Sequence, residues 1–579
     1  MITLRQQLFF NTSWLVVAMC LTFVARSESM DSGLIQQQAP SVAWRSSCNQ
    51  SLDKNTNVIE NSQFNLEAPH QEEGIAVKET PGQQLAEKLW QELSKDRSKV
   101  DVLKKVYDEF SKDVNQKDNA ALEIFPLLAG RFAESKEHRK AVLQRIGIRE
   151  SDSLVLQPLG DIDQFAESHG VEANELISAM SKQRPWSRSE FPIVAEYLDE
   201  NKIALDKIVV ASNKPSYLSP LFSVDGKKII GNQDIMQDEE IRGVARLLCA
   251  RSMLRLTNKE YELAWSDIMA IKRLGRLVGH GSQLIHTLVG VATTNFSCEA
   301  ARQFVLHASD DVDWNQCRKE WCEQLQVGDL TRQIDFTERL NVLQVVDGLR
   351  AASDNPALRS ELVEMGFDYE DEVFQSFANE NSVNYESGLE NVNQFYSRLV
   401  AAVEEPSAKV RAKKVVAIKR YLQKVARDSR TNRFSAIMTS TEKGEMLCKM
   451  QLFMFAHNGG VWQFVNFEME CQDYQKVIGN ALAVRQYVQR NGKLPKSIED
   501  YVDQFDSEQT SFDWAVQSRN GDPIRFLPYD DHIKLIISGR NGSFEGDSSA
   551  PVFDDGVSPY NSRIDDWGIS IAGNREGRN

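Results

Sequence analysis

Cysteine is scarce in this chain. Eight are spread over 579 residues, at Cys20, Cys48, Cys249, Cys298, Cys317, Cys322, Cys448 and Cys471, and no CxxC pair occurs. A disulfide-stapled scaffold is thereby excluded. Buried free thiols are the plain reading, with one or two disulfides as the alternative for an exported protein. Cys317 and Cys322 are five apart, which sets them on different faces of a helix. The common catalytic signatures are missing too: there is no HExxH, no GxSxG and no P-loop. The glycine run at 275–281 (GRLVGHG) lacks the preceding strand that a dinucleotide loop needs. His280 and His286 are six apart, about 240° around a helix, so they cannot share a face as an i,i+4 metal pair does. Ser440 to Lys443 fits SxxK and Ser353 to Asn355 fits SDN, but the order is reversed and no KTG follows. A penicillin-recognising serine enzyme is therefore not supported. Basic residues are outnumbered: 67 Lys and Arg face 83 Asp and Glu, a net charge of -16. Bulk nucleic-acid binders are normally basic, so no nucleic-acid partner is expected.

Long apolar runs are short as well. The longest, Trp14 to Ala25, is broken only by Thr22 and falls below the ~20 residues of a spanning helix. Arg5 precedes it, and the small residues Ala25, at its end, and Ser27 supply a cleavage site. This is the grammar of an export signal, and counting from Leu8 leaves an uncleaved anchor open. The chain is thus expected to be exported, either periplasmic or anchored to the cytoplasmic membrane by this segment. Residues 28–80, rich in Ser, Gln, Asn and Glu, read as a solvated linker.

What the chain does have is helical periodicity. Leu85, Leu89 and Leu93, then Val102, Val106 and Phe110, recur at three- and four-residue spacing. Val194, Tyr197 and Leu198 continue the pattern, as do Ile203, Leu205 and Ile208. The stretch 239–306 reads as three stacked antiparallel helices, with Thr257 or Asn258 capping the second and Gly279 and Gly281 dividing it from the third. Ala264 to Arg276 is similar to one helix of a tetratricopeptide-type hairpin, but no 34-residue repeat exists. Between 361 and 405 stand eleven acids and one base, Arg398. Between 409 and 433 stand ten bases and one acid, Asp428. Two readings stay open for this contrast: a helical hairpin whose charges face each other, or a surface for an anionic membrane.

The last hundred residues carry a helix from about Gln472, with Ile478, Leu482 and Val488 on one stripe. Gly492 is its C-cap, and Ser497 with Asp500 caps a short following helix. A two-stranded unit follows, in which Ile533, Leu535 and Ile537 alternate as a half-buried strand. From Cys471 to Gly573 this layout resembles the globular domain of type II secretion pseudopilins. The points of similarity are the long helix, the Gly492-Lys-Leu-Pro495 turn, Asp522-Pro523, Gly539-Arg-Asn-Gly542 and the Asp565-Asp566-Trp567 end. The chain departs from that family in carrying about 470 residues before the helix and no GFTLIE-like processing site. The whole layout also resembles large exported helical proteins of planctomycete-type bacteria, which implies an architecture and no activity. Major pseudopilins hold calcium before the C-terminus, and the matching stretch here contains Asp547, Asp554, Asp555, Asp565 and Asp566. Hard oxygen ligands on a loop suit Ca2+, and a merely solvated acidic loop is the alternative.

The expected fold is mainly α, stacked antiparallel helices with a small C-terminal α+β domain. The expected division is a signal at 1–27, a linker at 28–80, a helical body at 81–470 and the pseudopilin-like domain at 471–579. The expected role is a non-enzymatic envelope protein with a protein partner, no cofactor other than calcium, and an anionic membrane as a second partner through 409–433. An exported hydrolase-type enzyme with a site assembled from dispersed residues is the alternative.

Overall fold

A computed structural model describes residues 79–128, 159–218, 236–323, 326–351, 385–405, 460–502, 524–537 and 567–572, with single positions at 355, 360 and within 407–420. Among these are sixteen α-helices and one three-stranded antiparallel sheet near the C-terminus. The chain is mainly α with a small α+β part. The segment read as an export signal, all but the last two residues of the stretch read as a linker, the acidic residues Asp547, Asp554, Asp555, Asp565 and Asp566, and most of 409–433 lie outside the described residues. No described helix is long and apolar enough to cross a membrane.

Helices α1 (Pro81–Asp96) and α2 (Val102–Ser111) open the body. Thr80 caps α1 by accepting from the Gln83 N–H, and Pro81 takes the first helical position, where no N–H is needed. The predicted stripe is buried at Leu89, Leu93, Val102, Val106 and Phe110, with Leu85 at its margin. Short helices α3 (Ala121–Leu128), α4 (Ile162–Ser168), α5 (Ala173–Met180), α6 (Pro192–Glu200) and α7 (Lys202–Ala211) form the next layer. On α7 the buried face is Ala204, Leu205, Ile208 and Ala211, whereas Ile203 is 50% exposed. Ile203 therefore does not extend the core stripe.

The centre is α8 (Met236–Thr257), α9 (Tyr261–Gly279) and α10 (Leu284–His307). Connections of three and four residues force neighbouring helices to run antiparallel. The turn between α8 and α9 differs from expectation, because neither Thr257 nor Asn258 caps α9. Its N-cap is Glu260, without a side-chain cap. Lys259 instead takes φ +64, Glu260 N–H bonds to Arg255 C=O and Lys259 N–H to Leu256 C=O. That pair of bonds closes α8 with a Schellman motif and leaves no room for a capping side chain before α9. The glycines of 275–281 serve helix contact. A Cβ on Gly275 would stand 2.3 Å from Thr294 Oγ1, and one on Gly290 would stand 2.5 Å from Gly275 O. Only hydrogen atoms fit where α9 crosses α10.

Helix α11 (Trp314–Cys322) packs its indoles against this bundle. Trp265 lies 6.0 Å from Trp321 and 5.1 Å from Phe304, which is 5.7 Å from Trp314. Next come α12 (Leu330–Arg332), a π-helical turn at Gln333–Glu338, α13 (Arg339–Ala351) and α14 (Tyr385–Val403). Helix α15 (Gly460–Asn491) starts well before the predicted Gln472 and ends at Gly492, whose φ of +69 fits a glycine C-cap. The short helix α16 (Glu499–Val502) follows, and Asp500 Oδ2 accepts from the Lys496 and Ser497 N–H groups.

The sheet has order β1-β2-β3, with β1 (Arg525–Pro528), β2 (His532–Ile537) and β3 (Trp567–Ala572). Its third strand corrects the two-stranded expectation. The register sets Ile533 opposite Ile571 and Leu535 opposite Ile569. Opposed residues of an antiparallel pair share a face, so these four branched side chains form one apolar surface. All four are buried in the same core as Val477, Ile478, Ala481 and Leu482 of α15 and Ile268, Ile271 and Leu274 of α9. Each such side chain contributes about 1.5–3 kcal/mol when fully buried. Helix α15 is thus common to the helical layers and to the sheet.

Candidate functional site

Two polar networks cross the otherwise apolar interior. The first joins α7, α8 and α9. Asp267 is fully buried and receives Arg251 at both oxygens, Nε at 3.0 Å and Nη2 at 2.6 Å. Arg255 Nη1 reaches Asp267 Oδ2 at 2.6 Å, and Arg251 Nη1 reaches Asp206 Oδ1 at 2.8 Å. Burial raises the Asp267 carboxyl from its usual range, and the two guanidiniums oppose that rise. One carboxylate thereby ties two turns of α8 to α9.

The second network is built around the π turn. A π turn carries one extra residue, so it re-aims neighbouring side chains that an α-helix would keep on one stripe. Gln333 points to the α9–α10 junction, where its Nε2 donates to Gly279 O at 2.8 Å and Gly281 O at 2.7 Å. Thr287 Oγ1 bonds Gln333 Oε1 at 2.6 Å. Thr337 Oγ1 donates to Ser282 O, while the buried Ser282 Oγ has no hydrogen-bond partner among the described residues. His286 Nδ1 accepts from Gln283 N–H at 2.8 Å, and His280 Nδ1 lies 2.9 Å from Arg276 O. Both histidines are engaged locally.

Asp335 faces the other way. It accepts from Thr80 Oγ1 at 2.5 Å and Gly82 N–H at 2.8 Å, and pairs with Arg339 Nη2 at 2.8 Å. A carboxylate at a helix N-terminus is favoured by the helix dipole, so Asp335 anchors α1 from 253 residues away. Arg339 also donates to Asn393 O at 2.8 Å and sits 5.6 Å from the Tyr396 ring, bringing α14 to the same point.

Two further carboxyls border this seam. Glu338 accepts from the backbone of Leu284 at the start of α10, and burial pushes its carboxyl up to about 7 although part of its surface is accessible. Glu468 on α15 accepts from Gly328 N–H at 3.3 Å, and burial likewise pushes it up to about 7. Gly328 itself lies against Thr287 and Gly279, since a Cβ there would stand 2.4 Å from Thr287 Oγ1. The arrangement therefore holds two acids that change protonation near neutrality beside backbone and side-chain donors. Such groups can exchange protons with a bound molecule or with solvent.

Lys272 on α9 donates its amine to Trp321 O and lies 5.0 Å from that indole ring. Burial lowers it to about 8. The described thiols are all free. Burial pushes Cys249 and Cys317 up to about 12 and raises Cys298, Cys322 and Cys471 as well. Thiols so raised are inert as nucleophiles.

The residues named from sequence do not meet here. The calcium candidates Asp547, Asp554, Asp555, Asp565 and Asp566 lie outside the described residues, and among the described residues no group of three His, Cys, Asp or Glu is placed to hold a metal. From the acidic and basic segments, Lys414 Nζ pairs with Glu405 at 2.8 Å and Arg411 Nε donates to Glu405 O at 2.9 Å. Sequence reading missed Asp267, Asp335, Arg339, Glu338 and Glu468. A signal existed for Asp267, a charge set among Ala264, Ile268 and Ile271 on a core-facing helix. No family model, curated protein or solved structure matches the chain.

Proposed function

We propose that this chain is an exported envelope protein that acts by binding or assembly, with its helices forming a braced scaffold and its sheet held in fixed relation to them. The observation that carries this reading is α15, one helix whose apolar residues belong to the core of both the helical layers and the sheet. A continuous helix transmits position from one end of a molecule to the other, which suits a protein that presents surfaces to partners. The buried Asp267–Arg251 pair, which joins α8 to α9, supports the same reading, as do Asp335 and Arg339, which reach across to α1 and α14. Export rests on Leu8 to Val24, and the pseudopilin-like layout of the C-terminal hundred residues fits a partner in the envelope. The acidic residues from Asp547 to Asp566 add a calcium-binding element to this proposal.

An enzymatic reading has one specific support: Glu338 and Glu468, two acids near 7 on either side of the Gln333–Thr287 seam. Fractionation of the native host tests the first reading. The protein is expected in the envelope fraction, trimmed near Ala25 to Ser27 or retained by its anchor, and cross-linked to another envelope protein. Recovery from the cytoplasm with an intact Met1 would end it. The rival is tested by hydrolase screens on wild type and the Glu338→Gln, Glu468→Gln double variant, where a turnover lost in the variant would favour the enzyme.

A further inference from the structure

Among the described residues, most buried and half-buried arginines meet a carboxylate or an amide, although the Arg242 Nε has no acceptor. Arg251 and Arg255 meet Asp267, Arg302 meets Glu299, Arg318 meets Gln486, Arg339 meets Asp335 and Asn393, and Arg350 meets Asp347. Arg273 and Arg276, on the last two turns of α9, do not follow this pattern. They are three residues apart, so they share a face and their charges repel. Both are part-buried, and neither side chain donates a hydrogen bond to any described residue. Arg276 Nε is shielded from solvent with no acceptor among the described residues. Glu320 and Glu323, at the end of α11, act on Arg273 through space only, and Glu320 is already engaged by Trp265 Nε1 at 2.9 Å. Among the described residues no carboxylate acts on Arg276, and its neighbour in charge is Arg273.

An unmet guanidinium beside a like charge in a partly desolvated position is unfavourable, and a folded chain keeps such an arrangement where something compensates it. Guanidinium forks match the oxygens of a tetrahedral anion bidentately. We propose that Arg273 and Arg276 form a binding site for a phosphate-type oxyanion, at the surface where the end of α9 passes the C-terminal end of α11. Lys272, one residue before Arg273, adds positive potential while its amine is held by Trp321 O. The anion is either free phosphate or the phosphate of an anionic lipid headgroup; the recognition chemistry is the same. The site does not depend on whether the chain is exported or whether it turns over a substrate.

Melting of the full chain in inorganic phosphate, against chloride at equal ionic strength, tests the site. Phosphate is expected to raise the melting temperature in a concentration-dependent way, because a ligand of the folded form stabilises it by mass action. Arg276→Met is expected to weaken phosphate at least tenfold, the loss of one charge-assisted bond. It should also raise the melting temperature in chloride, since an unmet charge is removed. Flotation with phosphatidylglycerol vesicles distinguishes the sources: binding that phosphate competes away assigns the lipid headgroup, and absence of binding assigns the free anion. The proposal is overturned if phosphate does not act on wild type, or if its effect survives in Arg273→Met, Arg276→Met. It is equally overturned if Arg276→Met lowers the melting temperature in chloride, which would make the guanidinium a partner of the negative end of α11.

Discussion

At the scale of single residues, the energetics of this chain turn on a few buried charges. Asp267 is the clearest case, because its two oxygens satisfy two guanidiniums inside the helical core. Replacing it by Asn leaves Arg255 without its carboxylate and Arg251 with only the more exposed Asp206, and a broken buried pair costs ~3–5 kcal/mol. Asp206 touches the same Arg251 from a position 42% exposed. Exposed pairs contribute ~0.2–1 kcal/mol, so Asp206→Asn is expected to cost less than ~1 kcal/mol. Urea unfolding of the two variants measures the contrast; equal losses would mean that solvent reaches Asp267. Glu338 and Glu468 give a pH dependence with a definite sign. Both carboxyls titrate at about 7 in the folded chain, against ~4.3 for a free glutamate. Between those values the folded state keeps protons that the unfolded state has released, so stability falls as pH rises through the window and levels off above it. Each carboxyl accounts for a fall on the order of 3 kcal/mol. Glu338→Gln keeps an acceptor for the Leu284 N–H and should flatten part of the slope, seen as urea midpoints that differ less between about pH 5 and about pH 8.

At the scale of elements, the decisive contact is the crossing of α9 and α10. A Cβ on Gly290 would meet Gly275 O at 2.5 Å and Gly279 Cα at 2.7 Å, backbone atoms that no side-chain rotation can move. Gly290→Ala must separate the helices and is expected to cost ~1–3 kcal/mol, the range for overpacking. A Cβ on Gly479 of α15 meets side chains alone, Cys322 Sγ at 3.2 Å and Trp321 Cδ1 at an ordinary 3.8 Å, so Gly479→Ala should melt within a degree or two of wild type, about the shift of a few tenths of a kcal/mol. Thermal melts of both variants test the order. Local signals made some of these elements legible in the sequence. The stripe Leu89, Leu93, Val102, Val106 and Phe110 marks α1 and α2, Gly492 marks the end of α15, and alternation at Ile533, Leu535 and Ile537 marks β2. What escaped depends on partners distant in sequence. Asp335 caps α1 across 253 residues, and Gly275 and Gly279 have a reason only once α10 and Val327 lie against them. The π turn has no period that a search for helical or strand spacing can find. Strand β3 has a short alternation of its own, Trp567, Ile569 and Ile571, but it follows an acidic stretch and is separated in sequence from β2, so its pairing shows only in the fold.

At the scale of the molecule, α15 decides whether the C-terminal sheet is an independent unit. Its one side packs on α11, where Trp321 Nε1 donates to Gln475 O at 2.9 Å and Arg318 Nε to Gln486 Oε1 at 3.0 Å. The same helix supplies Val477, Ile478, Ala481 and Leu482 to the core that holds Ile533, Leu535, Ile569 and Ile571. A fragment beginning at Cys471 would keep the sheet but expose the helix face that α10 and α11 cover, Tyr474 and Val488 included. Uncovered apolar area of that kind costs about 25 cal/mol per Å2, and a three-stranded sheet on one helix has little else to offset it. The full chain is therefore expected to lose its sheet and its α8–α10 bundle in one transition. Trp567 lies in β3 and Trp265 in α9, so single-tryptophan variants retaining one or the other report the two regions separately. Coincident urea midpoints for the two are the expected outcome, together with broad, non-cooperative melting of a 471–579 fragment. A fragment that melts sharply on its own, at the midpoint seen for Trp567 in the full chain, would show instead that the sheet and the C-terminal part of α15 form a self-sufficient domain. In that case the covering of α15 by α10 and α11 would add position rather than stability.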